Sequence, residues 1–68
     1  MTFYQTAKHY EYSLESRDLD KALEYFYKAL ENNERRDSTI KDLAGVLHQK
    51  GRTQEAVDFL RKERKRYT

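Results

Sequence analysis

The sequence predicts an all-α fold of four helices, paired as two antiparallel helix–turn–helix hairpins. Three observations carry that expectation. Pro is absent and Gly occurs only at positions 45 and 51, while Ala, Leu, Glu, Lys, Arg and Gln, all strong helix formers, fill the surface positions. Apolar residues recur at three- and four-residue spacing in four stretches, the period of one helical face. Cap-type residues fall between those stretches.

The first helix is expected over residues 3–15. Thr2 with Gln5 makes a capping box, in which hydroxyl and amide each satisfy a free backbone N–H. Phe3, Ala7, Tyr10 and Leu14 form its apolar stripe, widened by Tyr4 and Tyr12. The second is expected over 18–32. Asp18 caps it and Asp20 meets the positive end of its dipole. Its stripe is Leu19, Ala22, Leu23, Phe26, Ala29 and Leu30, flanked by Tyr25 and Tyr27, and Asn32-Asn33 stops it, since Asn tolerates the left-handed conformation.

The third helix is expected over 38–50, capped by Asp37 or Ser38, with Ile40, Leu43, Ala44 and Leu47 inward and Val46 beside them. Gly51 then takes the position after the helix end, where a missing Cβ permits positive φ. The fourth helix spans 53–66, capped by Thr53, with Glu55 in its first turn and Ala56, Val57, Phe59 and Leu60 inward. A charged run from Arg61 to Arg66 follows, closed by Tyr67.

The 68 residues divide into two 34-residue units, 1–34 and 35–68. Sliding one onto the other sets Ala22 on Ala56, Leu23 on Val57, Tyr25 on Phe59 and Phe26 on Leu60. Two helices per unit of about 34 residues, with a small residue early in the second helix, resembles the tetratricopeptide repeat. Ile40, Leu43, Ala44, Leu47 and Gly51 match that family's first helix and turn. Ala22, Phe26, Ala29 and Leu30, then Ala56 and Leu60, match its second helix. Small residues let paired helices approach closely. Departures are Tyr10-Glu11, or His9-Tyr10 with a one-residue shift, in place of Leu-Gly, Arg17 for Gly, Glu34 for the repeat-ending Pro, and Glu63-Arg64 for Ala-Leu. The stretch Asp37-Ser38, Lys41-Asp42, Gln49, Arg52 and Glu55-Ala56 also resembles one repeat of the plant pollenless-type tetratricopeptide proteins. The expected core is Ala22, Phe26, Ala29, Leu30, Leu43, Ala44, Leu47, Ala56 and Leu60.

Several function classes are poorly served. Without Cys there is no disulfide, Cys-based zinc site or Cys nucleophile. His9 and His48 lie far apart with no Ser at motif spacing, Asp18 and Asp20 read as capping residues, and no phosphate-binding Gly loop occurs. The chain is therefore expected to be non-enzymatic, with no cofactor and no metal. No apolar run approaches the roughly 18 residues of a membrane span, and no signal-peptide pattern appears, so a cytoplasmic setting is expected.

What the resemblance implies is a protein or peptide partner. In the family, the first helix of each repeat lines a groove. The matching positions here are Gln5, Lys8, Tyr12 and Glu15, then Ser38, Lys41, Gly45, His48 and Gln49. Lys8 and Lys41 would meet an acidic or C-terminal peptide, Tyr12 would stack, and Gly45 would leave room for a backbone. Tyr12 and Gly45 stand where the family's chaperone-tail clamp carries Asn, so that activity is not implied.

Self-association, or continuation as a longer solenoid, is the first functional expectation. Two units are fewer than the roughly three such folds need, and each unit buries its apolar faces against neighbours. Tyr4, Tyr25, Tyr27, Phe59 and Tyr67 are the candidate contact residues. The first half carries three more acids than bases and the second five more bases than acids, which favours stacking of unlike halves. The basic run at 61–66 offers a weak nucleic-acid reading, but its charges spread around a helix without interleaved aromatics, so nucleic acid is not the expected partner.

Overall fold

A computed structural model describes residues 1–15 and 17–65, with side chains described through Arg64. Its four helices are α1 Phe3–Tyr12, α2 Leu19–Glu31, α3 Arg36–Gln49 and α4 Thr53–Lys65. There is no strand among the described residues, so the chain is all-α. Each helix packs on its sequence neighbours, and the chain forms a slab of 39 × 27 × 13 Å. The thin dimension is close to one helix diameter of about 10–12 Å, so every helix reaches the surface.

The expected capping box is present: Thr2 Oγ1 accepts from Gln5 N and Gln5 Oε1 from Thr2 N. A second, distant acceptor serves the same terminus. Glu34 Oε1 accepts from Tyr4 N at 3.0 Å, placing a carboxylate where the α1 dipole favours one. Glu34, the last residue of the first 34-residue unit, thus ties the α2–α3 connection to the start of α1.

α1 ends at Tyr12, three residues short of the expected Glu15. Ser13 is extended and its N–H donates to His9 O. The carbonyl of Tyr10, which Leu14 N would have met in a longer helix, instead accepts from Asp18 N at 2.9 Å. Leu14 is consequently fully exposed and not part of the stripe. Asp18 also caps α2, accepting from Lys21 N at 3.1 Å.

The α2–α3 connection turns through two left-handed residues, Asn33 and Arg35. The expected Asp37 or Ser38 cap is not used: α3 starts at Arg36 and its N-cap, Arg35, makes no side-chain cap bond. The early start lets Arg36 reach Glu63 at 2.9 Å and lets Thr39 Oγ1 donate to Glu34 O at 2.7 Å. Gly51 has φ of 79°, as its position required. Thr53 is the first residue of α4 rather than its cap, and its hydroxyl lies 3.1 Å from His48 Nδ1. The expected end of the fourth helix at residue 66 lies outside the described residues.

The core is Ala7, Ala22, Phe26, Leu43, Ala44, Val46, Leu47 and Ala56, with Ala29 also fully buried. Ala22 and Ala56, equivalent under the 34-residue displacement, are both buried. Leu30 is only half-buried. The expectation fails for Leu60, which is 42% exposed, and for Val57 at 36%. Phe26 is buried beside Tyr4 of α1, whose ring meets its edge at 6.0 Å, and under α3, which packs on α2; among the described residues no further helix packs on α4 to cover Leu60. No described helix is long and apolar enough to cross a membrane.

Candidate functional site

The face shared by α1 and α3 gathers most of the polar groups that sequence reasoning singled out. Lys8, on α1, is the centre. Its Nζ lies 3.3 Å from Asp42 Oδ2 on α3 and 3.6 Å from Glu11 Oε1 one turn along its own helix. The ammonium also sits 4.4 Å from the Tyr12 ring centroid, within cation–π range. Burial acts to lower the Lys8 pKa, but Asp42, Tyr12 and Glu11 outweigh it and hold the group raised. Lys8 is therefore a neutralised cation, not a free anchor for an acidic peptide.

Two residues that sequence reasoning missed complete the site. Asp42 accepts from Tyr4 Oη at 2.8 Å as well as from Lys8. Burial, and then Asp42, push the Tyr4 hydroxyl up. Glu11 is 6% exposed, and its Oε1 has no hydrogen-bond partner. Burial pushes its carboxyl up against the opposing pull of Lys8. The signal for Asp42 was its place one position before the Leu43-Ala44 pair, on the side of α3 that turns to α1. The signal for Glu11 was its four-residue spacing from Ala7, which puts both on the inner face.

The remaining groove candidates disperse. Tyr12 is 65% exposed and shares the Lys8 cluster. A Cβ added at Gly45 would meet nothing within 4 Å, so open space adjoins α3 there. His48 is engaged with Thr53 at the α3–α4 turn. Lys41 does not join Lys8: it lines a cleft of about 450 Å³ between α3 and α4, with Asp37, Ile40, Leu60, Glu63 and Arg64. At the other end of the α1–α3 face Arg17 donates to Gln49 Oε1 at 2.6 Å.

The self-association candidates are mostly used internally. Tyr4, Tyr25 and Phe59 pack against the core, so they are not spare surface aromatics. Tyr25 stacks on Phe3 at 6.3 Å and on Tyr10 at 5.8 Å. Tyr27 meets Phe59 edge-on at 6.3 Å while staying 39% exposed. Tyr67 lies outside the described residues. Several acids of the first half are likewise spent within the chain: Glu34 on Tyr4 N, Asp20 paired with Lys50, and Glu24 3.7 Å from Lys28. Lys50 holds the Asp20 carboxyl below its usual range.

Among the described residues no group of three His, Cys, Asp or Glu is placed to hold a metal ion. No protein-family model and no solved structure matches the chain. Two curated Arabidopsis thaliana proteins resemble it. Protein SULFUR DEFICIENCY-INDUCED 2 is 37% identical over 57 residues, which is 84% of this chain and 18% of that protein. Protein SULFUR DEFICIENCY-INDUCED 1 is 35% identical over 65 residues, 96% of this chain and 21% of that protein. The chain thus spans about a fifth of the length of these relatives.

Proposed function

We propose that the chain is a non-catalytic protein-interaction module of the tetratricopeptide type, a scaffold in a cytoplasmic setting. The observation that carries this reading is the equivalence of the two helix pairs. Ala22 and Ala56 are both buried at the 34-residue displacement, while Phe26 is 0% and its counterpart Leu60 42% exposed. Stacked units bury continuous cores only where a neighbour follows. The uncovered Leu60 face is therefore the surface at which this module meets a helix, whether from a second copy, a neighbouring repeat or another protein. The names of the two relatives record a condition of induction, not an activity, and add no chemistry to the reading.

Sedimentation equilibrium at micromolar concentration tests the self-associating form. A mass above the 8.3 kDa of one chain, returning to that of the monomer in Leu60→Glu, supports it. A monomer at every concentration overturns that form.

A peptide groove on the α1–α3 face is the second reading, favoured by the exposed Tyr12 ring and the open space at Gly45. With Lys8 held between Asp42 and Glu11, stacking on Tyr12 would contribute more to such binding than attraction of acidic side chains. Loss of peptide binding in Tyr12→Ala, with Lys8→Gln affecting it less, is the expected result.

A further inference from the structure

We infer that the α3–α4 cleft is a docking site for an acidic amphipathic helix of a different protein. This rests on the module reading above and names the occupant of its open face.

The shape argument comes from within the chain. In the first helix pair Ala22, Phe26 and Ala29 are each 0% exposed, and α3 packs against α2. The displaced positions are Ala56, Leu60 and Glu63. Leu60 lies open beside Ile40 in the cleft of about 450 Å³. What fills the equivalent place in the first pair is a helix with an apolar stripe, Leu43, Val46 and Leu47, so a helix of that kind is what the cleft fits.

A second copy supplies this helix poorly. Displacing Leu43, Val46 and Leu47 by 34 gives His9, Tyr12 and Ser13: only Tyr12 is a large ring, and Ser13 lies beyond the end of α1.

Charge then selects the partner. Glu63 is spoken for by Arg36 at 2.9 Å. Lys41 and Arg64 line the cleft against the single remaining acid, Asp37, and Arg61 and Lys62 add exposed cations on α4. Neither Lys41 nor Arg64 forms an ion pair with another described residue. A helix with an apolar stripe flanked by carboxylates satisfies both the cleft and its rim.

The test uses two fluorescein-labelled synthetic helices of about 14 residues, three to four turns, with the same Leu/Ala stripe and either Glu or Lys on its flanks. Anisotropy is read with the full chain at low and high salt. The expected result is saturable binding of the Glu helix, weakened by salt, at least about tenfold tighter than the Lys helix, and lost in Leu60→Glu. Leu60 is 42% exposed, and unchanged circular dichroism establishes that the variant folds. A second variant, Lys41→Glu, is expected to reduce the preference for Glu over Lys by about tenfold. Equal binding of both helices, or binding that survives Leu60→Glu, overturns the inference. A chain that dimerises through Leu60 and excludes the Glu helix overturns it in favour of a second copy. Amide shifts confined to Tyr12 and Gly45 overturn it too, while leaving the module reading intact.

Discussion

Tyr4 Oη donates a 2.8 Å hydrogen bond to Asp42 Oδ2 across 38 positions of sequence, and Lys8 Nζ reaches the same oxygen at 3.3 Å. With Glu34 on Tyr4 N, this is how the first helix is fastened to the second pair. Tyr4→Phe is expected to cost about 1 kcal/mol, the net worth of one such bond. Asp42→Ala is expected to cost about 2 kcal/mol, because Tyr4 and Lys8 both lose their acceptor. Urea denaturation measures both. A smaller loss for Asp42→Ala than for Tyr4→Phe would show that Asp42 is not the shared acceptor.

Equivalent positions need not carry equal energy. Phe26 and Leu60 match under the displacement, but one is 0% and the other 42% exposed. Phe26→Leu is expected to cost about 1–2 kcal/mol through lost packing. Leu60→Ala should cost about 1 kcal/mol, since 42% of the residue stays in water on folding. Thermal or chemical melts of the two variants decide it. A larger loss for Leu60→Ala would mean that something covers that face in solution.

These contrasts show where the sequence was legible. Helix existence followed from periodicity and from Thr2, Asp18, Asn33 and Gly51, because a cap's chemistry is local. Buried Ala22, Phe26, Ala29, Leu43, Ala44, Leu47 and Ala56 followed from the stripe. The end of α1 did not, because the competing partner for the Tyr10 carbonyl, Asp18 N, is set by the return of the chain. Leu60 was misplaced because periodicity reports which face is apolar, not whether a neighbour arrives to cover it. The Lys8–Asp42–Glu11 cluster is half legible: the sequence points to Lys8, but not to the partners that hold its charge, because one lies on another helix and the other one turn away.

The two glycines should respond in opposite directions to alanine. A Cβ at either position meets nothing within 4 Å, so sterics between side chains do not decide the outcome. Gly45 lies within α3, where Ala is favoured by roughly 0.5–1 kcal/mol. Gly51 has φ of 79°, a conformation that costs an L-residue about 1 kcal/mol or more. Gly45→Ala is expected to raise the thermal midpoint and Gly51→Ala to lower it. The Gly45→Ala variant also checks the α1–α3 groove in a peptide titration, where it should weaken any peptide whose backbone enters the open space there.

Glu11 offers a prediction with a sign. Its carboxyl is raised by burial, with Lys8 and Gln49 acting to lower it and Asp42 to raise it further. A carboxyl whose folded pKa exceeds its unfolded value of about 4.3 leaves the folded state binding more protons between the two values. Stability from this group is therefore full below the unfolded pKa and falls as pH rises through the folded one. Glu11→Gln keeps the shape and removes the ionisation. Its stability relative to the parent chain should be near constant below about pH 4 and rise toward neutrality. The lowered Asp20 acts in the opposite direction but is common to both chains and cancels. The raised Lys8 pKa works far above this window. Thermal midpoints of the two chains from about pH 4 to pH 7 measure the difference. A difference that stays flat, or that shrinks toward neutrality, would mean that Lys8 outweighs burial and that Glu11 ionises in the fold as readily as in the open chain.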